Sequence, residues 1–327
     1  MILDTEADLD EFLSRPSDAD RDALAALDGD IVILGAGGKM GPSLVRLARR
    51  AAPAKRIHAV ARSPVPGIET IAADLLDRRQ LAALPDAPNV IFMAGRKFGS
   101  TGNEPLTWAT NALLPAMVAE RYSRSRIVAF STGNVYPFVS VASGGATEET
   151  PIAPVGEYAQ STLARERLFE YFSATHGTPV TILRLNYAID LRYGVLLDIA
   201  QKVFERRPID LTMGHINVIW QGDANSACLR SLPLCQSPPR ILNLTGAETL
   251  AVRSIAKQFG DRFAIEPLFE GVESDTALLS NASRLHSLLG PPTVDVGEMI
   301  DLIAHWMQAG RPVWNKPTHF ETRSGRF

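Results

Sequence analysis

Seven residues, Gly35-Ala-Gly37-Gly38-Lys39-Met40-Gly41, carry the clearest chemistry in the sequence. They follow an apolar run, Ile31–Leu34, and open a helical pattern, Met40–Ala52, the strand–turn–helix setting in which a glycine turn holds phosphate. Gly35 permits the tight turn, Gly37 or Gly38 lets backbone amides approach a pyrophosphate, and Gly41 lets the helix pack close to the strand. The turn reads as the cradle of a nicotinamide dinucleotide, with Lys39 and Met40 inside it. At the end of the next β-branched run stand Ala61-Arg62, where an acidic residue would hold a free ribose. Arg62 pairs better with a 2′-phosphate, and Lys39 adds positive charge, so NADP is expected in preference to NAD. Asp74-Leu75 follows a further short run and suits either a contact to the adenine ring or, for Asp74, a helix N-cap.

These residues need a scaffold, and the chain supplies a rhythm of short apolar runs and longer helical patterns. The runs are Ile31–Leu34, Ile57–Val60, Asn89–Met93, Ile127–Phe130 and Val180–Leu183; Met40–Ala52, Pro105–Tyr122 and Ala159–His176 have helical length and spacing. The alternation predicts a doubly wound parallel α/β sheet of Rossmann type with a smaller C-terminal substrate-binding lobe. The expected divisions are a helical extension over 1–28, the dinucleotide-binding domain over 29–187, the lobe over 188–310 with segments returning to the sheet, and a tail over 311–327. The N-terminal helices are expected on the outside of the domain.

Composition narrows the partners. With 46% hydrophobic and 21% charged residues and a formal charge of -3, the chain is an ordinary globular one with no general attraction to nucleic acid or an anionic membrane. Cys228 and Cys235 have neither zinc nor redox spacing, and the six histidines show no paired arrangement, so no metal site is expected. An acidic N-terminus without an apolar run argues against a secretory signal, and no stretch is long enough to span a bilayer, which makes the cytoplasm the expected location.

Four motifs in order resemble the extended short-chain dehydrogenase/reductase family, in its NAD(P)-dependent epimerase/dehydratase branch, from about Ile31 to about Met307. They are the glycine turn, Phe130-Ser-Thr-Gly-Asn-Val-Tyr136, Tyr158-Ala-Gln-Ser-Thr162, and Leu278-Leu-Ser-Asn-Ala-Ser-Arg284 followed by Leu288-Leu-Gly290. The resemblance implies that Tyr158 moves the proton of a substrate hydroxyl while hydride passes to or from the nicotinamide. Thr132, with Ser131 as the adjacent alternative, would bond the same oxygen. It also implies roles near the site for Asn111 and, in Arg184-Leu-Asn186, for Asn186. One position departs: the family has a lysine four residues after the tyrosine, and this chain has Thr162 at that ribose-side position. An unperturbed phenol titrates near ~10, so a forgone depression of about three units is on the order of 4 kcal/mol. The loop Ala94-Gly95-Arg96-Lys97, at a strand's carboxyl end beside the expected nicotinamide, offers Lys97 or Arg96 as a replacement cation.

Relatives that act on nucleotide-linked sugars hold the diphosphate with an arginine shortly before an aspartate such as Asp223. Here Gly214-His-Ile-Asn-Val-Ile-Trp-Gln-Gly-Asp223 has none, and His215 or Asn217 suits a neutral sugar or other polyol. Two function classes stand side by side: an oxidoreductase or epimerase acting on a sugar-like secondary alcohol, and a catalytically silent NADP-binding regulator. A homodimer pairing through the helices of Asn111 and Tyr158, using Leu113, Leu114, Met117, Leu168 and Phe169, is set against burial of the same residues on the sheet. The tail, with Trp314 and Phe320, reads as a cover or an interface arm.

Overall fold

The computed structural model describes residues 3–327. Strands β1 (Ile31–Leu34), β2 (Ile57–Ala61), β3 (Thr70–Ala72), β4 (Asn89–Phe92), β5 (Arg126–Thr132), β6 (Val180–Leu185) and β7 (Arg240–Leu244) form one sheet in the order β7-β6-β5-β4-β1-β2-β3. Every neighbouring pair is parallel, with Ile31 opposite Ile57 on one side and Asn89 on the other. The expected Rossmann-type α/β sheet is therefore present. The order reverses between β1 and β4, so the chain leaves these two strands in opposite directions and opens a crevice at their carboxyl ends.

Two-sided burial explains the near-continuous apolar strands. Ile31 and Ile33 pack with Leu44, Val45 and Ala48 of the helix Gly41–Ala51, whereas Val32 and Leu34 pack on the opposite face with Val118 and Phe169. Each such side chain contributes about 1.5–3 kcal/mol of burial. In chain order the helices before β5 are α1 (Glu6–Leu13), α2 (Asp18–Ala25), α3 (Gly41–Ala51), α4 (Arg78–Ala82), α5 (Glu104–Trp108) and α6 (Leu114–Arg121). After it come α7 (Gly156–His176), α8 (Val195–Phe204), α9 (Gln221–Arg230), α10 (Val252–Phe263), α11 (Ser283–Leu289) and α12 (Val296–Gln308).

A second core joins α8, α10 and α12 around Trp220, Trp306 and Phe320. The outer position expected for the N-terminal helices is corrected here. Leu9 and Leu13 of α1 lie in this second core, and Leu24 of α2 lies in the sheet core, because their apolar stripes meet different bodies. Asp10 then accepts from Arg46 of α3 at 2.9 Å and from Arg192 at 3.2 Å.

Two helices differ from their sequence reading in ways that matter for the site. The single helix expected over 105–122 is interrupted by a π turn, Ala109–Leu113, in which the Leu114 amide donates to Ala109 O. Pro115 has no amide to give Asn111 O, and the wider turn accommodates that missing bond. The second helix starts at Gly156 rather than Ala159, which puts Tyr158 in its first turn. Of the five apolar residues considered for pairing, Leu114, Met117 and Phe169 face the sheet, and Leu113 is exposed.

Beneath the crevice, Arg184 of β6 donates to both carboxylate oxygens of Glu166 on α7, at 3.0 and 2.7 Å, and to Tyr136 OH at 2.7 Å. Tyr136 OH donates to Asn243 Oδ1 of β7 at 2.8 Å, and Ser131 Oγ donates to Glu166. No helix among the described residues is long and apolar enough to cross a membrane. Removing one partner of a buried pair strands the other charge without water, so Arg184→Met should cost about 3–5 kcal/mol of unfolding free energy. Chemical denaturation measures this; a loss well under 1 kcal/mol would mean that Glu166 protonates or finds another partner.

Candidate functional site

Gly35 adopts φ +97°, and a Cβ there would lie 2.6 Å from Ala94 N at the end of β4, so the turn sits directly on the crevice. Gly41 meets Ala36 O so closely that a Cβ would stand 2.2 Å from it, which is the tight helix–strand contact expected of this position. Within the turn, the amides of Gly35 and Ala36 donate to Val60 O, Gly38 to Gly35 O and Gly41 to Gly38 O. The amides of Gly37, Lys39 and Met40 have no backbone acceptor among the described residues and border the N-terminus of α3, the arrangement that receives an anion.

Lys39 Nζ is buried without a hydrogen-bond partner. It stands 3.2 Å from the ring centre of Tyr193 and 4.4 Å from that of Phe98. Burial first, then repulsion from Lys316 and Lys97, lowers its pKa to about 7, against a pull from Asp198. A pyrophosphate fits this set of free amides and one orphaned cation.

Arg62 follows β2, exposed and without an ion pair among the described residues, and a Cβ on Gly37 would approach Ala61 Cβ to 3.2 Å. Asp74 is not a helix cap, because Asp77 takes that place at α4 and accepts from Arg79 N and Gln80 N. Asp74 instead accepts from Leu76 N at 3.1 Å, while Leu75 is buried in the sheet core.

At the carboxyl end of β5, Thr132 Oγ1 bonds Asn134, and Tyr158 stands in the first turn of α7. Burial raises this phenol above its ordinary value, while Thr132, the Arg165 charge and Thr162 pull it down. Ser131, the alternative hydroxyl, is turned inward to Glu166. The Thr162 hydroxyl also donates to Tyr158 O at 2.8 Å, closing its own helical turn.

Asn111 ties the loop after β4 to α7. Its Oδ1 accepts from Arg96 N at 2.8 Å and Arg165 Nη2 at 3.0 Å, and its Nδ2 donates to Arg96 O and Ser161 Oγ. The Arg96 guanidinium folds back on Gly99 O, at 2.8 Å from Nη2. Lys97 Nζ stands 5.7 Å from the Tyr158 ring centre and 4.2 Å from that of Phe327, and burial lowers its pKa to about 8 against the Asp198 charge. Ala94 and Gly95 line the same loop; a Cβ on Gly95 would reach Arg165 Nη2 at 2.8 Å.

The structure thus brings together the glycine turn, Ala94–Lys97, Asn111, Thr132, Tyr158 and Thr162. Asn186 is buried, its Nδ2 given to Leu278 O at 3.3 Å. His215 stands apart in a two-residue ladder opposite Ala251, with Nδ1 buried and unpartnered, and Asn217 has its amide engaged by Glu248 O and Ser280 N.

Two features escaped the sequence reading. One is Arg165, legible only as the residue seven places after Tyr158. The other is the course of the tail across the site, as the cover that was one of its two expected roles. Trp314 stacks on Tyr193 with ring centres 6.2 Å apart, and Thr318 bonds Asp198 through N and Oγ1 at 2.7 and 2.6 Å. Arg323 donates to Thr276 O, and Gly325 presses on Gly156, where a Cβ would lie 2.3 Å from Gly325 O. The Phe327 ring then meets Tyr158 edge to face at 5.7 Å.

Residues 31–189 match the model of the NAD dependent epimerase/dehydratase family. No curated protein matches by sequence. Among solved structures, UDP-glucose 4-epimerase of Thermotoga maritima with UDP-glucose is 14% identical with a TM-score of 0.72, covering 86% of this chain and 99% of its own. dTDP-glucose 4,6-dehydratase of Bacillus anthracis in complex with NAD is 16% identical at TM-score 0.73, covering 86% and 97%. RMD from Pseudomonas aeruginosa complexed with NADPH is 20% identical at 0.68, covering 86% and 99%. At these identities the likeness is one of fold.

Folding depresses the Lys39 pKa, so its stability contribution is present above the ordinary lysine value and lost as pH falls through about 7. An anion on the turn reverses this preference. Binding of a dinucleotide should take up a proton and weaken as pH rises through about 7, and Lys39→Met should flatten that dependence. Calorimetry in buffers of different ionisation enthalpy reads the proton; none taken up by the parent would refute the role of Lys39.

Proposed function

We propose that this protein binds NADP in preference to NAD at Gly35–Gly41 and oxidises or reduces a secondary alcohol of a sugar-like substrate, with epimerisation as one form of the same chemistry. The carrying observation is that Tyr158, in the first turn of α7, and Thr132, at the carboxyl end of β5, stand at the end of the sheet where the glycine turn lies. When bound, the nicotinamide supplies the hydride acceptor or donor. Tyr158 takes or returns the proton of the substrate hydroxyl, and Thr132 bonds the same oxygen and limits its orientations. Asn111 holds the loop that carries Lys97 at a fixed distance from α7, and Lys97 adds positive charge beside the phenol ring. Arg62 is the partner for the 2′-phosphate, and Ala94, Gly95 and Thr162 line the ribose and nicotinamide side. Relatives in fold that hold UDP-glucose, NAD or NADPH support a sugar-like substrate and a nicotinamide cofactor without choosing between cofactors.

The second reading, a silent NADP-binding protein, is favoured by the raised phenol and by Phe327 set against it. Turnover separates the two. With NADP and a panel of sugars, reduced-nicotinamide absorbance together with product analysis should reveal oxidation or epimerisation. Tyr158→Phe should then lower kcat roughly 10²–10⁴-fold with NADP affinity kept. Binding without turnover or product across the panel would favour the silent reading.

Cofactor choice has its own test. A charge-assisted pair with the 2′-phosphate is worth about 1.5–3 kcal/mol, so Arg62→Ala should weaken NADP roughly 10–100-fold and leave NAD unchanged. Equal affinity of the parent for both dinucleotides would remove Arg62 from the site.

A further inference from the structure

Arg165 is a buried cation with unusual partners. Its Nη1 donates to Phe130 O at 2.7 Å and its Nη2 to Asn111 Oδ1 at 3.0 Å, while Nε is buried with no acceptor. No carboxylate lies within ion-pair distance of it among the described residues; the adjacent Glu166 spends its oxygens on Arg184 and Ser131. A guanidinium kept in a low-dielectric interior without a counter-ion is costly, and its charge acts on its surroundings with little screening.

Helix geometry says where that charge is felt. Residues seven apart stand on one face of a helix, so Arg165 shares the Tyr158 face of α7, its Nη1 holds Phe130 O two residues before Thr132 on β5, and its charge favours the ionised phenol. Thr162 is short and its hydroxyl bonds Tyr158 O, which leaves no charged side chain between them on that face. Asn111 fixes the guanidinium from the opposite side through the same oxygen that holds Arg96 N.

We propose that Arg165 is a positioning residue for Tyr158, a fixed positive charge behind it on α7 that favours the ionised form of its side chain over the neutral one. The proposal rests on the reading of Tyr158 given above. The other charged or titratable groups around the phenol are Lys97 from the loop after β4 and the phenols Tyr187 and Tyr193. Lys97 differs from Arg165 in kind. It burial-depresses to about 8 and loses its charge within the working range, whereas Arg165, lowered by burial to about 10, keeps its own.

The test reads the phenol without cofactor. Fluorotyrosine at position 158, whose more acidic phenol titrates within the stable range of the fold, is followed by fluorine NMR in the full chain. Arg165→Met should move its titration upward by about one to two pH units, and Arg165→Lys should restore most of the shift. Should Arg165→Met fail to fold, Arg165→Gln keeps a donor for Phe130 O and Asn111 without the charge, and the same upward shift is expected. In the kcat profile of the unlabelled protein the basic limb should move in parallel. An unchanged titration in a folded neutral variant, or a shift produced by Lys97→Met and not by Arg165→Met, overturns the proposal. Full turnover by Tyr158→Phe would instead defeat the reading of Tyr158 as proton carrier, while the titration would still report the coupling to Arg165.

Discussion

The bidentate pair between Arg184 and Glu166 fixes the rotation of α7 against β5 and β6. Both side chains are essentially excluded from water, so neither can leave the pair without a large desolvation cost. With Glu166 held inward, the helix presents Tyr158, Thr162 and Arg165 to the carboxyl ends of the strands, where the order of the sheet reverses. The pair also draws in Ser131, Tyr136 and, through Tyr136, Asn243, so three strands and one helix share a single satisfied network. Satisfied buried networks of this kind permit one arrangement and penalise its neighbours.

Around that fixed helix the crevice collects more positive than negative charge. Lys39, Lys97 and Arg165 are all depressed by burial, and Asp198, itself raised by burial, is the carboxylate that opposes the two lysines. Such a surplus is stable only because aromatic faces partly replace water: Lys39 lies over Tyr193 and Phe98, and Lys97 over Phe327. An anionic ligand would relieve the same imbalance, which links the free amides of the glycine turn to the charge distribution beyond it.

The tail completes the enclosure. It is anchored at Asp198 by Thr318, at Thr276 by Arg323 and at Gly156 by Gly325, so it is held by polar bonds and close backbone contact rather than by regular secondary structure. Two glycines facing each other, at φ +82° for Gly156 and +69° for Gly325, allow an approach that any side chain would block. This brings Phe327 to Tyr158 and ties the desolvation of the phenol to a segment far away in the chain.

The sequence alone determined the sheet, because two-sided burial writes itself as continuous apolar runs such as Ile31–Leu34, and it determined the glycine turn, because tight backbone approach admits few other residues. It also displayed Tyr158, Thr132 and the odd Thr162. What it did not determine was which hydroxyls and cations face the crevice. Ser131 and Thr132 are neighbours in sequence, yet strand alternation sends one to Glu166 and the other to Asn134. Arg96 and Lys97 likewise diverge, one closing its own loop and the other reaching the phenol. The π turn around Asn111, the inward reach of Arg165 and the course of residues 311–327 depend on contacts between segments distant in the chain. Local spacing carries the period of a helix or strand, but only the packed tertiary structure decides which buried charge is left unpaired, and beside which group.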